Sequence, residues 1–187
     1  MGIVIRQSIL TSIISYIGVA VGYVNLLYLY PKFLDAEQVG LTRTIQDAAM
    51  LLAPFATFGL GQSIIRFFPH FGNHERQAGS FISLILVLGT LTYGFFLLVF
   101  LVFQDYIMSF FNENARDILL YIGLILWLTF FLVILTLLEQ YSRSLLNVAF
   151  PGFLREVGIR LLQAVLVSLY FLKFISFHQF LIWSVLI

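Results

Sequence analysis

Residues Phe81–Phe103 read FISLILVLGTLTYGFFLLVFLVF, 23 residues without a charged side chain. A helix of that length rises about 34 Å at 1.5 Å per residue, enough to cross roughly 30 Å of hydrocarbon. The rest of the chain has the same character. Of its 187 residues, 61% are hydrophobic and 10% are charged, where a soluble domain carries about 25% charged residues. Ten basic and nine acidic side chains cannot build a polar shell around a core of this size. Mean hydropathy is +1.02, and the apolar residues come in long runs rather than in alternation. These figures exclude a soluble enzyme, a disordered chain and a nucleic-acid binder, since a net charge of +1 supplies no field for a polyanion. Without cysteine there are no disulfides, no Cys-based metal site and no thiol catalysis. The chain reads as an all-α integral membrane protein, a polytopic helix bundle.

Outward from this run, the same length criterion gives spans at about 8–30, 39–68, 81–103, 118–138 and 159–174, with the start of a sixth at 180. The first follows Arg6, but at Ile9–Tyr30 it is too long for a signal-peptide core and no small-x-small cleavage site closes it. The second contains Pro54, Gly59 and Gly61, and a proline that removes one backbone donor predicts a kink near Ala53–Phe58. The sixth has only about eight residues before Ile187, which is the expectation for a fragment of a longer bundle. With the N-terminus in the cytoplasm, Arg6, Arg66, Arg76, Arg143, Arg155 and Arg160 fall inside, and Lys32, Arg43, Arg116 and Lys173 outside. The inner connection 139–158 reads as amphipathic. Its Glu139 and Arg143 stand one turn apart, and Leu145, Leu146, Phe150, Phe153 and Leu154 suit a headgroup zone. Tyr28, Tyr30, Tyr93 and Tyr106 suit interfacial aromatic belts.

Polar side chains at membrane depth are costly, so they face a bundle interior or a wet cavity, and this filter selects the candidate site. Asn25 lies in the first span; Arg43, Gln46 and Asp47 share one side of the second, with Gln62, Ser63 and Arg66 further along; Gln163 stands next to Arg160 in the fifth. Arg43 and Asp47, four apart, read either as a helix-surface pair or as the lining of an outward-widening cavity. Asn25 and Gln163 read first as interhelical hydrogen-bond partners. Arg66 reads either as an anchor for a lipid phosphate or as a two-pronged donor to a substrate phosphate. His70 and His74 lack a nearby third ligand, and Gly72 and Asn73 between them favour a solvated loop. Gly59-Leu60-Gly61 lacks the rest of a nucleotide loop and reads as close helix packing. No catalytic triad, carboxylate pair or metal cluster is visible, so neither an enzyme nor a cofactor is expected.

Three stretches carry a resemblance to a family. Tyr30-Pro31-Lys32-Phe33-Leu34-Asp35-Ala36-Glu37-Gln38-Val39-Gly40-Leu41 resembles the first outer loop of polysaccharide flippases. Phe58-Gly59-Leu60-Gly61-Gln62-Ser63-Ile64-Ile65-Arg66-Phe67-Phe68 is similar to the end of their second helix. Glu139–Leu145 and Phe153–Arg160 are similar to the connection before their fifth helix. The family is the Wzx-like branch of the multidrug/oligosaccharidyl-lipid/polysaccharide (MOP) exporter superfamily. The resemblance implies twelve to fourteen helices in two pseudo-symmetric lobes around a cavity. This chain would be most of the first lobe, and the second lobe or another copy of the chain would be its partner. It implies a bacterial inner-membrane flippase that moves a lipid-linked oligosaccharide by alternating access, with Arg66 and Arg43 as the matching cations. The alternatives are an exporter of drugs coupled to H+ or Na+, with Asp47 as the carboxylate, and a membrane scaffold that transports nothing.

Overall fold

Large apolar side chains on these helices point outward as well as inward: Val102 is 77% exposed and Leu98 64%. In water such a surface would drive association, whereas among acyl chains it is at rest. The computed structural model describes residues 2–71, 75–109, 120–145 and 147–186, and among them all regular structure is helical. Gly72, Asn73, His74, Glu113, Arg116, Asp117 and Leu146 lie outside the described residues, as do 118 and 119 of the expected fourth span.

Helix α1 (Ile3–Val24) runs through a π-turn (Asn25–Leu29) into α2 (Tyr30–Phe33), and α3 (Ala36–Thr57) follows. Next come α4 (Leu60–Phe71), α5 (Glu75–Ser109) and α6 (Ile122–Ser144). A further rod is made of α7 (Ala149–Phe153), a second π-turn (Leu154–Gly158) and α8 (Ile159–Phe171), and α9 (Phe177–Leu186) ends the described chain. Three helices are long and apolar enough to cross a membrane: Ile5–Phe33, Gly79–Gln104 and Ile122–Ser144. The pair Ala36–Thr57 and Leu60–Phe68 makes a fourth if its two halves are one span. The expected count of five is therefore too high. Span 159–174 is not among them: α8 stops at Phe171, shortly before Lys173 adopts a positive φ of 60°, and the helical stretch 149–171 to which it belongs carries Arg155, Glu156 and Arg160.

The chain divides into two compact units, Met1–Arg43 with Leu145–Ile187, and Thr44–Ser144. In the second, α4 turns Ile64 and Phe68 inward against Phe81 and Ile85 of α5 and Val133 and Leu137 of α6. The Leu137 side chain fills the notch left by Gly89, and Tyr141 meets Phe68 edge-on with centroids 5.4 Å apart. The break between α3 and α4 follows from local chemistry. Pro54 offers no N–H to the Met50 carbonyl; at the end of the helix the Phe58 N–H donates to the Phe55 carbonyl at 3.3 Å, Thr57 Oγ1 donates to the Pro54 carbonyl at 2.9 Å, and Phe58 and Gly59 take φ of 46° and 75°. The bend is 53°, at the C-terminal edge of the expected kink. Nothing lies within 4 Å of a Cβ built on Gly59, so that glycine serves the turn and not close packing; at Gly61 the Gln140 side chain does approach, at 3.2 Å. Helix α6 runs on through the expected inner connection because residues 139–144 contain no breaker, and Glu139 is buried within it at 5% exposure rather than lying among headgroups.

In the first unit α1 and the rod 149–171 lie side by side and parallel. The Ala149 N–H donates to Gln7 Oε1 at 3.1 Å, Glu156 and Arg160 lie on Gly18 and Gly22, and the ring of Phe171 packs on Phe33 at 4.3 Å. Pro151 is tolerated in the first turn of the rod, where its missing donor has no intrahelical acceptor anyway. Tyr30, Leu34, Leu166, Val167 and Phe180 form the core at the far end. Tyr30 is therefore a core residue and not a belt anchor. Tyr93 too is turned inward, donating its hydroxyl to the Leu126 carbonyl at 2.8 Å, whereas Tyr28 and Tyr106 are exposed. Helix α9 starts on a reciprocal cap: Ser176 N donates to Gln179 Oε1 at 2.9 Å, and Gln179 N to Ser176 Oγ at 3.3 Å.

Candidate functional site

The polar residues that the fold brings together lie between α1 and the rod. Gly18 and Gly22 are four apart and leave a flat strip on α1. A Cβ at Gly18 would sit 2.8 Å from the Glu156 carbonyl oxygen, and one at Gly22 would sit 2.6 Å from Arg160 Nη1. The strip lets the two backbones approach, as small residues four apart do between membrane helices. Arg160 uses the space: Nη1 donates to the Gly18 carbonyl, and Nη2 donates to Glu156 Oε2 at 2.9 Å. From the other helix, Asn25 Nδ2 donates to the Arg160 carbonyl at 2.7 Å, and Asn25 is buried. Both π-turns flank this cluster, one beginning at Asn25 and the other carrying Glu156. A π-turn inserts a residue into a helix and re-aims the side chains that follow it, so such turns collect at functional positions.

Gly18 lies next to the middle of the 29-residue apolar stretch Ile5–Phe33. On a surface, an Arg–Glu pair four residues apart contributes a few tenths of a kcal/mol. At mid-depth in a bilayer an arginine would cost about 3 kcal/mol, and a carboxylate and a carbonyl such as those that hold Arg160 are what would offset it.

The other sequence-derived candidates scatter. Arg43, in the first unit, and Asp47, in the second, are both exposed on α3. Gln62 and Arg66 are exposed on α4, one turn apart and on the side away from buried Ile64 and Phe68. Gln163 is half-buried one turn beyond Arg160, and Asn25 alone of the six is built into the polar contact. A groove of about 370 Å³ lined by Tyr93, Leu97, Gly123, Leu126, Trp127 and Phe130 holds none of them. The sequence reading missed the Gly18–Gly22 strip and the ion pair. The signal for the strip was present as two glycines four apart in an apolar span; the pair was hidden because its partner surface on α1 lies 142 residues away in sequence.

Compared with protein-family models, curated proteins and solved structures, the chain matches none.

Proposed function

We propose that the chain is a multi-pass bacterial inner-membrane transporter of the flippase type, N-terminus in the cytoplasm, that passes a lipid-linked oligosaccharide across the bilayer by alternating access. The observation that carries this reading is the broken helix α3–α4. Bent by 53°, it keeps Ile64 and Phe68 in a core while Gln62 and Arg66 remain exposed on the opposite side. Transporters build their sites at interrupted helices, where irregular backbone is tolerated because it lines a cavity. The segment Phe58–Phe68 is also one of those that resemble flippases, and an arginine there offers the planar fork that suits a diphosphate. On this reading the rod 149–171 also crosses the bilayer beside α1, although its charges keep it from passing as an apolar span: its 23 helical residues reach roughly 34 Å, and the Gly18 carbonyl of α1 holds Arg160.

Arg66→Ala tests the reading. Surface polysaccharide in cells expressing the full chain should fall at least about tenfold, equivalent to about 1.4 kcal/mol of lost substrate interaction. Undiminished export at a normal protein level would reject the role of Arg66.

A further inference from the structure

We infer that the Arg160–Glu156 pair faces water in the middle of the membrane, at a hydrated polar site on one side of the rod 149–171 that admits small hydrophilic ions. The inference uses the membrane reading of the chain and is independent of any transported substrate.

Three observations lead to it. The first is depth: the pair is fastened to Gly18, next to the centre of the Ile5–Phe33 stretch, so it cannot reach either headgroup layer while that bond holds. The second is exposure: 31% of the Arg160 side chain and 35% of the Glu156 side chain remain uncovered, although one guanidinium nitrogen is already bound to α1. An exposed part of a charged pair at that depth meets either acyl chains or something polar, and intramembrane charges are found facing the second. The third is continuity: Gln163 and Ala164 follow Arg160 by three and four residues, so they flank the same side of α8, and both are partly uncovered. Val165, 55% exposed, points about 140° away from Arg160 by helical register and takes the place of a lipid-facing residue. The guanidinium, the carboxylate and the Gln163 amide thus lie at the edge of the side that packs on α1, where Val157 and Val167 are buried, while Leu161, Leu162 and Val165 are exposed on the other side.

The chain has no cysteine, so single-cysteine variants report on one position each. A thiol reacts with a methanethiosulfonate only as thiolate, and a thiol among acyl chains does not ionise. The full chain is reconstituted in sealed vesicles as Gln163→Cys, Ala164→Cys or Val165→Cys and treated with a membrane-impermeant trimethylammonium methanethiosulfonate. Ala164→Cys is a near-isosteric change that keeps the fold even where loss of the amide does not. Cysteine at 163 or 164 should react at least tenfold faster than cysteine at 165. Reactivity at both 163 and 164 no higher than at 165 would overturn the inference, whether lipid or a dry protein partner covers the pair.

Discussion

Gly18→Leu should separate α1 from the rod 149–171 and cost about 3 kcal/mol of unfolding free energy in detergent, the upper end of what overpacking a close contact costs. The reason lies in what the new side chain meets. Its Cβ would lie 2.8 Å from the carbonyl oxygen, 2.9 Å from the Cβ and 3.1 Å from the carbonyl carbon of Glu156, none of which moves by a change of rotamer. Even Gly18→Ala forces the helices apart. Gly22→Ala should be milder, because it meets the far end of the Arg160 side chain, which can swing away at the expense of its bond to Gly18. Gly94→Ala is the control: nothing lies within 4 Å of its Cβ, so it should leave stability unchanged or raise it by up to about 1 kcal/mol through helix propensity. Equal effects of Gly18→Ala and Gly94→Ala in equilibrium unfolding would show that the α1–rod contact is not close.

The second large effect concerns the ion pair. Removing one member of the pair takes a charge-assisted hydrogen bond from the other, and since about a third of each side chain stays uncovered, Glu156→Leu and Arg160→Met should each cost about 2 kcal/mol. The double variant should cost less than the sum by at least about 1 kcal/mol, since two apolar side chains of similar volume leave no orphan charge behind. The cycle isolates the Nη2–Oε2 bond from the second bond that Arg160 makes, to the Gly18 carbonyl, because that bond is lost in both Arg160 variants. Strictly additive costs would mean that the two side chains do not depend on each other.

Much of this protein was legible in its uncharged runs. Helices α1, α5 and α6 are where long stretches without Lys, Arg, Asp or Glu place them, because nothing but lipid or another helix can cover such surfaces. The bend after Pro54 was legible too, since a missing donor and a glycine act locally. The rod 149–171 was not, because Arg155, Glu156 and Arg160 interrupt its apolar character and hydropathy cannot know that Gly18 offers a carbonyl to one of them. Its π-turn, and that at Asn25, shift the facing side by one residue, and periodicity leaves no mark of it. Among the candidate residues, Asn25 donates across to the Arg160 carbonyl, which is the first of the two readings its place among apolar neighbours allowed. Arg43 and Asp47 show the limit of the same logic: spacing of four places two side chains on one side of a helix but supplies little reason for them to stay together where both are exposed.

Central to the account is that the rod 149–171 runs through the bilayer beside α1 and in the same direction. Single cysteines at Gln7, Asp35, Asn147 and Lys173, treated in sealed vesicles of known orientation with an impermeant maleimide, measure this directly. The account predicts that positions 7 and 147 react from one side of the membrane, and positions 35 and 173 from the other. Labelling of 147 and 173 from the same side would place the rod on the membrane surface and contradict it.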